Sequence, residues 1–413
     1  MSFVRIESVY KIFGPRARRV LEEVRQGRKK DEIFQTTRHV VALRNVNLEV
    51  QKGELFVIMG LSGSGKSTLL RAVNRLIDPT AGRICVGDTE VTALNRRELL
   101  RFRQATFGMV FQHFALLPHR TVLQNVAFPL ELKGVPKRER EERARAWLAR
   151  VGLAGYENNY PVQLSGGQKQ RVGLARALCA DPPVLLMDEA FSALDPLIRK
   201  EMQDELLRLQ EELKKTILFV THDLDEALKL GDRIAIMRDG EIVQVGTPEE
   251  ILAQPADDYV AAFVEGVNPA KVYRVEGLLL EAVTVILGRE GLRAALRKMG
   301  QAGVGSAYVV DTQGQFKGVV RAEKLAEALK AGGDGKDLSP YLEPLPTLRP
   351  DQTLEVALPL FSETPLPLPV VDDAGKFLGI VTRGRFLAAM ARRYTPPVGE
   401  ASPSTDRGVD SGP

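Results

Sequence analysis

Apolar and polar positions along this chain follow two rhythms, one suited to buried strands and one to amphipathic helices. ELFVIMG, Glu54 to Gly60, is a short apolar run that predicts a buried strand. STLLRAVNRLI follows, with Leu69, Leu70, Val73 and Leu76 on one face of a predicted helix. Val184 to Met187 form a second apolar run, predicting a parallel strand covered on both faces. LSGGQKQRVGLARALCA, Leu164 to Ala180, predicts a long amphipathic helix that Ser165 caps. IAIM and EIVQV flank Asp239 and Gly240, a hairpin signal. TPEEIL then starts a helix, with Thr247 as its cap and Pro248 in the first turn. Between Phe13 and a strand predicted from Val40, residues 14–39 are charged and helix-prone. Their thin apolar stripe is Val20, Leu21 and Val24.

The C-terminal third repeats itself. YVVDTQGQFKGVVRAEKL, from Tyr308, aligns without gaps to PVVDDAGKFLGIVTRGRF, from Pro369. Each copy reads strand, glycine-containing turn, strand, helix. Two such halves are expected to bury one shared core, as repeats of this kind generally must.

The phosphate chemistry lies between the first predicted strand and helix. Gly60, Leu61, Ser62, Gly63, Ser64, Gly65, Lys66, Ser67 and Thr68 fit G-x-x-x-x-G-K-[ST]. A glycine loop opening onto a helix N-terminus lets backbone N–H groups wrap an anion. Lys66 is placed to reach the β- and γ-phosphates and Ser67 to ligate Mg²⁺. The strand at 184–187 ends in Asp188 and Glu189. Asp188 would hold Mg²⁺ through water, and Glu189 would polarise the attacking water.

With these residues in place, LSGGQ at Leu164 to Gln168 resembles the signature of the ATP-binding cassette (ABC) ATPases. That resemblance covers roughly residues 3–265 and implies several roles. Two cassettes would pair head to tail, so that Ser165 and Gly167 contact ATP held by the partner. Gln112 matches the loop that senses Mg²⁺ and water. Ser192 to Asp195 match the segment at the dimer seam, and His222 matches the histidine that contacts the γ-phosphate. Phe13 is the implied aromatic stacked on adenine, with Tyr10 as the alternative. The other histidines, His39, His113 and His119, are expected to be merely exposed.

MGLSGSGKST, FQHFALLPHRTVLQN and LMDEAFSALDPLIR are similar to the ATPase subunit of glycine betaine/proline (quaternary amine) importers. The C-terminal repeat resembles a tandem pair of CBS modules. Such pairs often bind adenine nucleotides through a late aspartate, but Lys324 and Arg385 occupy that position here. With Arg383 they suggest a basic cleft answering to anionic lipid, salt or another anion.

The implied fold is an α/β P-loop ATPase domain with a helical subdomain, followed by the α+β CBS pair. The expected boundaries are 1–265 for the cassette, 266–275 for a linker, 276–335 and 338–394 for the modules, and 395–413 for a disordered tail. ATP and Mg²⁺ are the implied ligands. The implied partners are a second ATPase subunit and transmembrane permease subunits, with a substrate-binding protein reached indirectly. A peripheral place on the cytoplasmic face of the cell (inner) membrane follows. An importer of another solute, such as an amino acid or polyamine, and a soluble non-transport cassette stand as rivals.

Bulk composition agrees and excludes other classes. The 413 residues are enough for two or three domains. The 57 basic and 53 acidic residues leave a net charge of +4, too balanced to suggest nucleic acid. Cys85 and Cys179 lack metal-site or disulfide-framework spacing.

Overall fold

The computed structural model describes residues 2–331 and 335–391, and the chain divides into two compact units after Val267. The expected tail lies outside the described residues, as do 392–394 of the second repeat and 332–334 of the loop before it. Among the described residues, no helix is long and apolar enough to cross a membrane.

In the first unit, β1 (Ser2–Phe13) and β2 (Val40–Gln51) form a long antiparallel pair. β3 (Leu55–Met59) is buried at every position. β4 (Ala81–Val86) and β5 (Thr89–Glu90) complete a sheet of order β2-β1-β4-β5. β6 (Phe107–Phe111), β7 (Val184–Asp188), β8 (Thr216–Thr221) and β9 (Arg233–Arg238) join β3 as parallel neighbours. β10 (Glu241–Gly246) adds an antiparallel edge, giving the order β10-β9-β3-β8-β7-β6. β7 and β8 are also buried throughout, as continuous apolar runs in a parallel sheet should be. Asp239 and Gly240 both have positive φ, the backbone that a tight β9–β10 hairpin requires.

Helices Val122–Leu132, Lys137–Arg150 and Gly166–Cys179 build a separate core from Val126, Leu130, Leu148, Val172 and Ala175. This is the helical subdomain. The helix after the phosphate loop is shorter than its apolar pattern predicts. It runs Lys66–Val73, and Leu76 is exposed. Arg75 adopts a left-handed φ of 54°, while Arg103 Nε donates to the Asn74 carbonyl (2.7 Å). These contacts turn the chain before Leu76 can join the core.

Residues 14–39 form a 3-10 turn (Ala17–Arg19) and two short helices, Leu21–Arg25 and Lys30–Thr37. Val20, Val24 and Ile33 pack with Tyr10, Ile12 and Val41 in a core of their own. The segment is thus anchored on the first sheet rather than standing free.

In the second unit, β11 (Thr284–Ile286) runs parallel to β12 (Ser306–Val310), and β13 (Phe316–Arg321) returns antiparallel. The second copy repeats this with β14 (Leu368–Val371) and β15 (Phe377–Val381), and Leu348 bridges Val370 in parallel. The halves exchange backbone. Leu280, before the first copy, pairs with Ile380 of the second, while Glu343, before the second, pairs with Val319 of the first. The equivalent glycines Gly318 and Gly379 permit this approach. An added Cβ would lie 2.8 Å from the Glu343 carbonyl oxygen and 2.6 Å from that of Leu280. We expect Gly379→Ala to destabilise the second unit by about 2–3 kcal/mol. A lower melting transition checks it, with Gly384→Ala, which meets nothing within 4 Å, as the neutral control.

The linker expected at 266–275 is structured from Pro269 onward. Val272 and Val275 are buried. Val275 N donates to Gln352 O (2.9 Å) and Leu354 N to Tyr273 O (2.9 Å). Its apolar residues are covered by the second repeat, so this stretch belongs to that unit.

Candidate active site

Three neighbouring parallel strands, β3, β8 and β7, bring their C-terminal turns together. That edge of an open α/β sheet is where ligand sites form. β3 leads into the phosphate loop. Gly60 (φ 150°) and Gly65 (φ 106°) have backbones that side chains rarely adopt, and a Cβ would strike Met237 O at 2.3 Å or Ala42 O at 2.6 Å. The loop therefore lies tight against its neighbours and opens on the other side. A cavity of about 430 Å³ there is lined by Ser62, Gly63, Gly65, Lys66, Ser67 and Thr68, with Glu189 beside them.

Lys66 is buried, and its Nζ donates to Gly60 O (2.8 Å) and Leu61 O (2.9 Å). Burial pushes its pKa below the ordinary value, against the pull of Glu189 and Asp188. An anion at the helix start would restore the favourable field that burial removes. The Ser64 hydroxyl is buried with no hydrogen-bond partner, a further demand for a polar ligand at the loop.

Asp188 is held from two sides. Ser67 Oγ donates to its Oδ1 (2.7 Å), while Arg71 Nε and Nη2 donate to its Oδ2 (3.2 and 3.0 Å). Arg71 was not anticipated, although it lies four residues after Ser67 and so on the same helix face. The Ser67 hydroxyl and Asp188 carboxylate are the hard oxygen donors that suit Mg²⁺. Among the described residues, no cluster of three or more His, Cys, Asp and Glu side chains could hold a metal. An ion at Ser67 would thus complete its shell with phosphate and water oxygens.

Glu189 leaves β7 with a left-handed φ of 46°, its N–H donating to Val220 O (3.0 Å). This turn aims its carboxylate at the cavity, where Oε2 lies 3.3 Å from His222 Nδ1. The structure thus brings together Lys66, Ser67, Asp188, Glu189 and His222. Gln112 follows β6, whose Phe111 pairs in register with Asp188, but Gln112 does not line the cavity. Ser165 caps its helix through a reciprocal box with Gln168. A Cβ on Gly167 would meet Ile198 Cγ2 at 2.6 Å. Neither Ser165 nor Gly167 lines the cavity around Lys66 of its own chain.

Two expectations change on the aromatic side. Phe13 lines a different hollow, with Lys11, Arg16, Asp78 and Thr80, and Tyr10 is buried in the core of the 14–39 segment. Neither borders the phosphate-loop cavity. His39 is buried rather than exposed, its ring nitrogens 2.9 Å from Thr37 O and 2.7 Å from Pro15 O. His113 and His119 are exposed as expected.

Arg176 was also missed. It is buried in the signature helix and donates to Ala115 O (2.6 Å) and Phe114 O (3.0 Å). Phe114 and Ala115 are both left-handed, so this one guanidinium holds the strained loop after Gln112. Arg176→Met should cost about 2–4 kcal/mol, because two carbonyls lose a charged donor. A reduced urea midpoint of the first unit would register it.

In the second unit the expected basic cleft is not an open one. Lys324 pairs with Glu343 (2.9 Å), Arg385 donates to Leu279 O (3.2 Å), and Arg383 donates to the carbonyls of Phe361 and Thr364. These cations serve the exchanged segments. The hydrogen bond from Lys324 holds the Glu343 carboxyl below its ordinary pKa.

The sequence matches the ABC transporter family over residues 43–192 and the CBS domain family over 278–331 and 337–392. It is 47% identical over 391 residues to the glycine betaine/carnitine transport ATP-binding protein of Listeria monocytogenes serotype 1/2a (strain 10403S), covering 95% of this chain and 98% of that one. It is 44% identical over 392 residues to the glycine betaine/proline betaine transport system ATP-binding protein of Escherichia coli (strain K12), covering 94% and 98%. Among solved structures, it is similar to a dimeric ATP-binding cassette in a post-hydrolysis state bound to ADP and Pi. There the TM-score is 0.51 and the identity 36%, over 59% of this chain and 98% of that chain.

Proposed function

This chain belongs to the ATP-binding cassette family of glycine betaine transport ATP-binding proteins, and on that premise we propose that it powers import of glycine betaine, proline or a related quaternary amine. It hydrolyses ATP as a homodimer. The dimer works peripherally on the cytoplasmic face of the membrane, beneath permease subunits. The observation that carries the chemistry is Glu189, which lies beside His222 and lines the same cavity as Lys66.

The phosphate loop and Lys66 hold the triphosphate, and Ser67 with Asp188, the latter through water, would hold Mg²⁺, which would supply neutralisation of phosphate charge. Glu189 accepts a hydrogen bond from the attacking water. As the new O–P bond forms and the bond to the β–γ bridging oxygen breaks, the water proton passes towards Glu189 and on to phosphate. ADP and phosphate are released. His222 contacts the γ-phosphate and is positioned by Glu189. Ser165 and Gly167 of each chain close over the nucleotide of the other, so hydrolysis and dimer closure are one cycle.

Reconstitution with the permease subunits tests this reading, using uptake of labelled glycine betaine against proline, choline and carnitine. Transport of an amino acid or polyamine in place of all four would reassign the cargo.

The second unit serves regulation in this reading, since a cassette needs no such module to hydrolyse ATP. Removing everything after Val267 should leave transport active at low salt and nearly insensitive to added salt. The Debye length falls from about 10 Å at 0.1 M to about 3 Å at 1 M, so a salt response is expected over that range in the full chain only. A truncated transporter that stays silent at low salt and switches on normally would place the sensor elsewhere.

A further inference from the structure

Glu189 and His222 stand on different turns, one leaving β7 and one leaving β8, yet the two side chains meet. The residue that ties these turns together lies outside the cavity. It is Arg199, in the first turn of the helix Pro196–Leu213.

The sequence places Arg199 where it can reach back. Asp195 caps this helix, its Oδ1 accepting from Ile198 N (3.1 Å), which fixes the turn Ser192–Leu194 beside the helix start. Long helical side chains lean towards the N-terminus of their helix. The Arg199 guanidinium accordingly folds back, and Nη2 donates to Leu194 O (3.1 Å) and Ser192 O (3.4 Å). Ser192 Oγ in turn donates to Glu189 O (2.9 Å). One cation thus holds the segment that follows Glu189.

The other terminal nitrogen, Nη1, donates to Asp223 Oδ2 (3.3 Å). Asp223 follows His222 directly, and its backbone N–H donates to Thr221 Oγ1 (3.0 Å). Its Oδ1 accepts from Glu226 N (3.1 Å) and so starts the helix Leu224–Leu230. Both residues that flank His222 are therefore fixed, while the imidazole faces Glu189.

The two helices stay in register beyond Arg199. Gln203, one turn on, is buried, and its Nε2 donates to Oε1 of the buried Glu226 (3.1 Å). Lys229 Nζ donates to Gln203 Oε1 (3.1 Å) and pairs with Asp204 (2.6 Å). Spacings of three and four residues on each helix bring these groups face to face. Pairs of this kind fix one register, since a slip would leave buried polar groups without partners.

We propose that Arg199 is a positioning residue for ATP hydrolysis, locking the turn after Glu189 to the turn that carries His222 so that the pair holds its geometry while ATP is cleaved. It does not line the cavity and acts only through these two residues. The proposal rests on the hydrolytic role given to Glu189 above, and it deepens that reading by naming the group that sets Glu189 against His222.

The test uses the purified full-length chain and Arg199→Ala, with ATP turnover, MgATP affinity and thermal melting measured on the same samples. Turnover at saturating MgATP should fall about ten- to a hundredfold, the scale on which small misplacements of catalytic groups act. MgATP affinity should stay within about threefold, because an interaction that serves the transition state can be lost without loss of binding. Methylguanidinium at millimolar concentration should restore part of the lost turnover, whereas methylammonium, with the same charge and no planar fork, should not. In a Glu189→Gln background, Arg199→Ala should lower turnover by less than about threefold, since groups that act as a unit do not add their losses. Unchanged turnover in Arg199→Ala overturns the proposal. So does a fall in affinity and melting temperature that accounts for the lost turnover, which would make Arg199 a support for the fold alone. A full additional loss in the Glu189→Gln background overturns it, as does equal recovery, or none, with the two added cations. If Glu189→Gln itself turns ATP over at the normal rate, the hydrolytic role of Glu189 falls, and that result is distinct from all the others.

Discussion

Glu189→Gln should lower ATP turnover about 10²–10⁴-fold while leaving ATP bound. The amide matches the carboxylate in shape but cannot accept the water proton. The turn that presents it is held by backbone contacts, Glu189 N to Val220 O and Ser192 Oγ to Glu189 O (2.9 Å), which the substitution keeps. Lys66, Ser67 and the loop glycines are untouched, so the triphosphate keeps its partners. With binding intact and cleavage blocked, the variant should accumulate as an ATP-bound dimer. Single-turnover hydrolysis and size-exclusion chromatography with and without ATP measure the two effects. Near-normal turnover would mean that another group activates the water.

Lys66→Ala should act earlier, on binding. Its ammonium rests on two backbone carbonyls, and burial holds its pKa below the ordinary value, so a phosphate anion would favour the charged form that burial penalises. Losing a charged hydrogen bond of about 1.5–3 kcal/mol should weaken ATP roughly ten- to a hundredfold. The same variant tests whether sites are shared. If Ser165 serves the partner's nucleotide, a Ser165→Arg chain and a Lys66→Ala chain are each inactive alone. Mixed, they place both lesions in one site and leave the other whole, so part of the ATPase activity should return. Heterodimers that form and show no recovery would rule out independent sites built across the dimer.

The local shapes at the phosphate loop and the paired acids were legible because each is a short run formed by its immediate neighbours, whereas His222 was singled out only through the family resemblance. Gly60 to Thr68 must be a turn onto a helix, and Asp188 and Glu189 must end a buried strand. The hairpin at Asp239 and Gly240 and the C-terminal repeat were legible for the same reason. Arg71 could have been found from its four-residue spacing to Ser67. Arg176 could not, because the carbonyls it holds lie 61 and 62 residues away in sequence. The shortened helix after the loop was hidden too, since its apolar face continues past Val73 while contacts from distant segments, Arg103 to the Asn74 carbonyl and Arg75 to the carbonyls of Val91 and Leu94, hold the turn.

The sequence by itself determined the cassette and the repeated C-terminal module, because periodicity and local motifs carry that information. Tertiary structure alone decided where the candidate aromatic rings lie. Phe13 and Tyr10 are equivalent as letters. They separate only when Val20, Val24 and Ile33 close over Tyr10 and the hollow beside Lys11 takes Phe13, so that neither borders the phosphate-loop cavity. Burial is a property of neighbours in space, and those neighbours come from segments that local pattern does not connect.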